Sequence, residues 1–213
     1  VTRFSVQEHL SAAFLIQVDA VGEPDLDPRA IVGRGAVFAL QGLGGKRVWT
    51  GVCTRITQTQ IRDDAASYAV TLGPALWLLS RRRNYRVFQH VSVPDLAERL
   101  LGEWGIRPEM RLDRKSYPKL EYRVQYGETD YNFLRRQLAE AGISFCFALG
   151  EGQAKTPAET KLLLTDAPQR SEPRSRPLPF VTESGLSTRQ ESVSNVTVTS
   201  EIRPGRVTLR DHD

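Results

Sequence analysis

The stretch from Tyr122 to Phe147 constrains the fold more than any other, because its apolar periodicity changes twice. It opens with strict alternation, which places Tyr122, Val124 and Tyr126 on one side of an extended strand. Spacings of three and four residues follow, and they predict a helix with an apolar stripe formed by Tyr131, Leu134, Leu138 and Ala141. Strand character resumes at Ile143. The stretch therefore predicts a strand, a helix and a second strand.

Both ends of this predicted helix carry capping signals. Thr129 is placed to accept a hydrogen bond from the free N–H groups of the first turn, and Asp130 puts a negative charge at the positive end of the helix. Gly142 follows where a left-handed C-terminal residue is expected. We expect the two leucines of the stripe to be buried against a sheet. Arg136 lies off the stripe and should make polar contacts instead.

Residues 1–73 are rich in strand patterns and short turns. The predicted strands are Phe4–Leu10, Phe14–Val21, Ala36–Leu40 and a long strand from Val48 that pairs with Ser67–Leu72. Several short strands joined by tight turns favour a small antiparallel barrel or sandwich. We therefore predict an α+β protein that begins with an antiparallel β-barrel-like unit.

Residues 74–166 mix the two periodicities. They predict an α+β subdomain with helices near 93–104 and 130–141. Ser92 and Asp95 have the spacing of a capping pair at the start of the first of these helices. The second helix is the one within the opening stretch.

The composition changes again after residue 166. Proline, arginine and serine are enriched over 167–190, which predicts a linker. Residues 191–213 predict the start of a second β-barrel, with alternation over Val193–Ile202 and a strand at Val207–Arg210. Such a unit is truncated and leaves an unfinished sheet edge, which favours the interpretation that the sequence is part of a longer protein.

No group of residues predicts a catalytic or metal site. His9, His90 and His212 lack partners at metal-binding spacings, and no glycine-rich segment has phosphate-loop spacing. Cys53 and Cys146 lie in strand-like runs, and we expect them to be buried, unreactive thiols of a reducing compartment. The sequence therefore predicts no catalytic residue, no metal and no cofactor, and a protein that is not an enzyme.

The small excess of positive charge does not by itself predict a nucleic-acid-binding surface. The formal net charge is +4, and arginines concentrate at 81–86 and 170–177. We interpret these runs as a solvated turn and a solvated linker, because aromatic residues do not alternate with the arginines as base stacking requires. A nucleic-acid-binding barrel stays open as an alternative. No run approaches the roughly 18 apolar residues of a membrane span, so we expect a cytoplasmic protein when made, without stable membrane insertion.

The segment QYGETDYNFLRR, with the GISF that follows it, resembles the hub region of VgrG, the spike protein family of bacterial type VI secretion systems. The family pattern is met by Gln125, Tyr126, Glu128, Asp130, Phe133, Arg136, Gly142, Ile143, Phe145 and Phe147. Three flanking segments agree in the same order: LGPALWLL, VFQHVSVPDL and RPGRVTLRDHD. Gln137 departs from the apolar residue often found at its position, which affects one expected packing contact.

This resemblance implies a structural hub related to the tail hub of contractile phages. It implies a homotrimer in the full-length protein, docking on the inner tube of the secretion machine, and effectors or adaptors as further partners. Assembly in the cytoplasm would be followed by secretion through the type VI apparatus. A hub of a contractile phage tail or of another contractile injection system is the alternative. The resemblance implies that any effector chemistry belongs to an additional C-terminal domain.

Overall fold

The computed structural model describes residues 1–42, 45–62, 64–149, 159–173, 177–181, 192–202, 205–206 and 208. The chain divides into two compact units. The first unit combines Val1–Gln41 with Lys46–Glu172, and the second combines Gly42–Gly45 with Pro173–Asp213. Each unit is described separately below.

The first unit begins with a five-stranded sheet in the order β1-β2-β5-β4-β3. Its strands are β1 (Arg3–Gln7), β2 (Leu15–Gly22), β3 (Gly35–Gly42), β4 (Gly45–Arg62) and β5 (Ala65–Gly73). A four-residue helix, α1 (Pro28–Ile31), precedes β3. The rings of Phe4 in β1 and Phe38 in β3 lie 5.4 Å apart between centroids, so the two edge strands approach each other. The sheet is therefore curled into a half-barrel, which confirms the predicted antiparallel β-barrel-like unit.

A first hydrophobic core fills this curled sheet. It consists of Phe14, Ile16, Val18, Trp49, Cys53 and Leu72. At Gly51 the backbone of β4 passes so close to β5 that a Cβ atom would lie 2.1 Å from the carbonyl oxygen of Gly73. The tight curl therefore requires glycine at this position.

The rest of the first unit is mixed α+β, as predicted. Its elements are β6 (Arg83–Val91), α2 (Val93–Gly102), β7 (Glu109–Arg111), β8 (Leu120–Thr129), α3 (Asp130–Glu140), β9 (Ser144–Leu149) and β10 (Thr160–Thr165). Short 3-10 turns span Ala75–Arg81, Arg114–Ser116 and Pro168–Arg170. Strand β10 pairs in parallel with β7 and antiparallel with β9, while β6 and β8 form a separate antiparallel pair.

Both long helices begin at the expected caps. The hydroxyl of Ser92 accepts a hydrogen bond from the Asp95 N–H at 3.4 Å, and α2 ends two residues before the predicted position 104. The hydroxyl of Thr129 accepts from the Asn132 N–H at 3.1 Å. Gly142, with φ of 69°, follows α3 in the left-handed conformation.

A second hydrophobic core surrounds α2 and α3. Leu134 and Leu138 are each 1% exposed, which confirms their predicted burial. Phe147 in β9 packs against this core and also against the core of the curled sheet. Thr50 and Thr160 add a reciprocal link, because each backbone N–H donates to the other hydroxyl at 2.8 Å. These contacts join the half-barrel to the α+β part within one unit.

In the second unit, the described residues contain one isolated parallel bridge between Phe180 and Val193. The strand predicted over Val193–Ile202 is wrong for this structure, since residues 194–202 form no strand. Val196 and Val198 in this segment are exposed. Alternation gives a segment the propensity for a strand, but a strand also needs a partner for its backbone groups. Val207–Arg210 lies largely outside the described residues, and a second β-barrel stays a prediction.

Candidate interaction site

The antiparallel pair formed by β6 and β8, called here the β6–β8 ribbon, turns its polar side inward. Its register pairs Tyr85 with Tyr126 and Val87 with Val124. On the inner side, Phe88 and Gln125 are buried. The strand predicted around Tyr122 is therefore present, but the apolar residues of its alternating pattern point toward solvent.

We define the ribbon face as the outward side chains of Tyr85, Val87, Tyr122, Val124 and Tyr126. Their exposed fractions run from 38% for Val124 to 80% for Tyr126. The rings of Tyr85 and Tyr126 meet edge to face, with centroids 5.3 Å apart. None of the five side chains is charged. Tyr85 lies opposite Tyr126 and Val87 opposite Val124, whereas Tyr122 lies opposite the exposed Gln89. An exposed surface rich in tyrosine and valine is typical of a protein–protein contact.

The inner side of the ribbon surrounds the carboxylate of Asp130, which has no exposed surface. Asp130 is the first residue of α3. Its oxygens accept from Arg82 Nε at 2.6 Å, Gln125 Nε2 at 2.9 Å, Arg86 Nη2 at 3.0 Å, Trp104 Nε1 at 3.1 Å and Asn84 Nδ2 at 3.2 Å. This cluster, called here the Asp130 network, connects the ribbon to α3 and to the residues that follow α2.

The charges of the Asp130 network balance within the cluster. Arg82 and Arg86 also contact the carboxylate of Glu103, so two guanidinium groups face two carboxylates. Burial alone would raise the pKa of Asp130, but hydrogen bonds from Gln125, Arg82, Trp104 and Asn84 outweigh it and lower the pKa below its usual value. Asp130 is therefore ionised at neutral pH and is held by fixed donors.

The prediction of a solvated turn for the arginine run at 81–86 is wrong for Arg82 and Arg86. Both guanidinium groups bind the buried Asp130. A period-two pattern was available in the sequence, because Arg82, Asn84 and Arg86 alternate with outward residues along a strand. No local pattern identified Trp104 or Glu103, which reach the network from the end of α2.

Arg136 makes the polar contacts predicted for it. Its guanidinium donates to the Val124 carbonyl at 3.0 Å, to Glu128 at 2.6 Å and to Glu140 at 3.1 Å. Among the described residues, β8 pairs with β6 alone. Arg136 therefore covers part of the unpaired edge of β8, which protects it from pairing with another strand.

The other residues of the sequence motif pack beneath the ribbon or follow α3. Phe133 is fully buried and stacks on Phe88 with ring centroids 5.5 Å apart. Ile143 and Phe145 are buried, and Phe147 meets Phe14 edge to face at 5.0 Å. The motif thus supplies core packing and the Asp130 network, and Tyr126 contributes its side chain to the ribbon face.

Gln137, the departure from the family pattern, is buried and hydrogen-bonded. Its side-chain oxygen accepts from the Arg123 guanidinium, and its amide donates to Glu140 at 3.3 Å. A polar residue is tolerated here because Arg123 points inward from the ribbon and supplies a donor.

The cysteines and histidines do not converge on a site in the described ranges. Cys53 is buried as predicted, whereas Cys146 is only partly buried, so the prediction of a buried thiol is wrong for Cys146. Burial raises the pKa of both thiols. Within the part of the chain that the structure describes, no group of three or more His, Cys, Asp or Glu side chains could hold a metal ion. None of the helices described is both long enough and apolar enough to cross a membrane.

Comparison with protein families gives a match over nearly the whole chain. The family model of the phage tail baseplate hub (GPD) matches residues 7–213. The spike protein VgrG4b of the Pseudomonas aeruginosa type VI secretion system is 33% identical over 220 residues, covering 100% of this chain and 26% of the relative. VgrG1b of the same organism is 28% identical over 215 residues, covering 99% of this chain and 28% of the relative. The chain thus spans under a third of these relatives.

Solved structures show the same fold. The Escherichia coli c3393 protein, a type VI secretion component similar to the T4 bacteriophage tail proteins gp27 and gp5, matches with a TM-score of 0.72 and 28% identity. The match covers 84% of this chain and 48% of that protein. A Francisella VgrG–PdpA complex has a TM-score of 0.52 at 8% identity, over 76% of this chain and 27% of the matched chain, and shows the fold alone.

Proposed function

We propose, because the chain belongs to the phage tail baseplate hub (GPD) family, that it is a non-catalytic hub segment of a type VI secretion spike. The observation that carries this proposal is the similarity to VgrG spike proteins along the entire chain. The family model matches residues 7–213, so the proposal rests on nearly the whole sequence and not on one motif.

The geometry is suited to a docking platform. Asp130 is held by five neighbouring side chains, and two hydrophobic cores are joined through Phe147. A rigid scaffold lowers the entropy that must be lost when a surface is ordered on binding. The ribbon face lies directly on this scaffold, and it provides the apolar surface that a permanent contact requires.

Under this proposal, the full-length protein assembles as a homotrimer, docks on the inner tube of the secretion machine and carries effectors or adaptors. It is assembled in the cytoplasm and then leaves the cell through the type VI apparatus. The similarity to VgrG spike proteins along the chain supports this arrangement. In a cyclic trimer each copy uses two different surfaces, one toward each neighbour.

A gene deletion in the native host tests the proposed function. Cells that lack the full-length gene should stop releasing the inner-tube protein into the medium, and the wild-type gene supplied in trans should restore release. A second strain that lacks the contractile sheath is the positive control for loss of release. Undiminished release from the deletion strain, with no other hub gene present, would overturn the proposal.

The alternative of a phage or other contractile-injection hub would appear in the same experiment. The protein would then be found in tail-like particles, and tail genes would lie beside its gene. A nucleic-acid-binding role has less support in the structure, because Arg82 and Arg86 are committed to Asp130 and Glu103. Phosphate binding needs arginines that are free to replace counterions.

A further inference from the structure

We propose that the ribbon face is the surface through which one copy of this chain contacts a second copy. This inference rests on the proposed function, because a trimeric hub places identical copies side by side. It goes beyond that function by assigning the contact to Tyr85, Val87, Tyr122, Val124 and Tyr126.

The first support is the inverted pattern of the β6–β8 ribbon. Strands on the surface of a protein normally turn apolar residues inward and polar residues outward. Here Arg86 and Gln125 point inward to Asp130, while Val87 and Tyr126 point outward. The Asp130 network satisfies the inward polar groups, so the inversion is built into the fold. The outward apolar side chains remain uncovered within the described residues.

The second support is the size of the ribbon face. An aromatic side chain buries about 150–250 Å² when it is covered, so three exposed tyrosines and two valines present on the order of 500 Å². One partner in a standard protein–protein interface buries roughly 800 Å². The ribbon face therefore supplies the apolar centre of one side of such an interface, with neighbouring polar residues as its rim.

The third support is the charge of the ribbon face and the state of its edge. Arg83, at the end of the face, donates to the Gly127 carbonyl at 2.6 Å. The five side chains of the ribbon face carry no charge, and Arg83 is a single cation at its end. This fits an apolar protein surface, whereas nucleic acid and lipid phosphates require clustered cations. Arg136 occupies the Val124 carbonyl at the edge of β8. The contact is therefore made by the side chains of the ribbon face and not by addition of a strand.

Matched variants of the 213-residue chain test this proposal by sedimentation equilibrium across a dilution series. Val87→Arg places a charge on the ribbon face, and Val37→Arg places the same charge on β3, where valine is similarly exposed at 56% against 61%. Tyr122→Ser is a second ribbon variant that adds no charge. The unfolding midpoint of each variant confirms that it is folded.

We expect the wild-type chain to associate reversibly at submillimolar concentration. Val87→Arg should raise the dissociation constant about tenfold or more, Tyr122→Ser should raise it in the same direction, and Val37→Arg should leave it within about twofold. A wild-type chain that stays monomeric throughout, or equal effects of Val87→Arg and Val37→Arg, would overturn the proposal. Either outcome leaves the proposed function intact, because that function is tested separately by release of the tube protein.

Discussion

Arg82 Nε lies 2.6 Å from Asp130 Oδ2, joining residues 48 positions apart at a carboxylate with no exposed surface. Arg82 immediately precedes β6, so this contact places the strand that carries two of the five ribbon-face residues against the first turn of α3. The same carboxylate also contacts Trp104 beyond the end of α2. One buried charge therefore sets the positions of three elements around the ribbon.

Replacing Asp130 by asparagine should destabilise the protein by about 3 kcal/mol. This is the lower end of the range for breaking a buried ion pair, because Arg82 and Arg86 keep their contacts with Glu103. Urea denaturation would measure the change. Asp25→Asn, at an exposed turn, is the matched control and should change the free energy of unfolding by less than about 0.5 kcal/mol. Equal effects of the two substitutions would contradict a structural role for the Asp130 network.

The free energy of unfolding should decrease in acid, because at least two carboxylates have a lower pKa in the folded protein than in the unfolded chain. The pKa of Asp130 is lowered in the folded protein, and hydrogen bonds from Ser92 and Arg114 lower that of Asp95. Protons therefore bind more tightly to the unfolded chain. The stabilisation is complete above the unfolded pKa of about 3.9 and is lost as the pH falls through the lower folded values. Denaturation midpoints from neutral pH to about pH 3 should drop less steeply in Asp130→Asn than in wild type; parallel curves would refute this assignment.

Leu138→Ala should lower the free energy of unfolding by about 2–5 kcal/mol, because the leucine is 1% exposed in the core around α3. Chemical denaturation would measure the loss. Leu10→Ala removes the same atoms from an exposed position and should have an effect below about 1 kcal/mol. An unchanged midpoint for Leu138→Ala would show that the helical stripe does not face the core.

Gly51→Ala should destabilise the curled sheet by about 1–3 kcal/mol or more, because the new Cβ would collide with the Gly73 carbonyl oxygen. Gly35→Ala provides the control, since a Cβ there meets no atom within 4 Å. Thermal unfolding of the two variants gives the comparison. If Gly51→Ala were as stable as Gly35→Ala, β4 and β5 would not approach as closely as the structure shows.

The sequence predicts the local elements well where each is specified by its own residues. Thr129 and Ser92 identify the starts of α3 and α2, and the spacing of Leu134 and Leu138 identifies the buried side of α3. These signals act within one or two helical turns. They therefore do not depend on how distant strands are arranged.

The composition of the candidate site could not be predicted in the same way. Alternation around Tyr122 specifies two sides of a strand, but it does not tell which side is covered. That choice depends on Asp130, whose donors at Arg82 and Trp104 are distant in sequence. The segment over Val193–Ile202 shows the same limit, because only Val193 bridges to another residue and 194–202 form no strand.

Electron cryomicroscopy of the assembled full-length spike tests the central claim most directly. The account predicts three copies of the hub in a ring at the end of the inner tube, with the ribbon face of each copy buried against its neighbour. Tyr85, Val87 and Tyr126 should lie within contact distance of another copy. A map that places the chain away from the junction of tube and spike would contradict the hub function, and a ring whose ribbon faces are exposed to solvent would contradict the proposed contact.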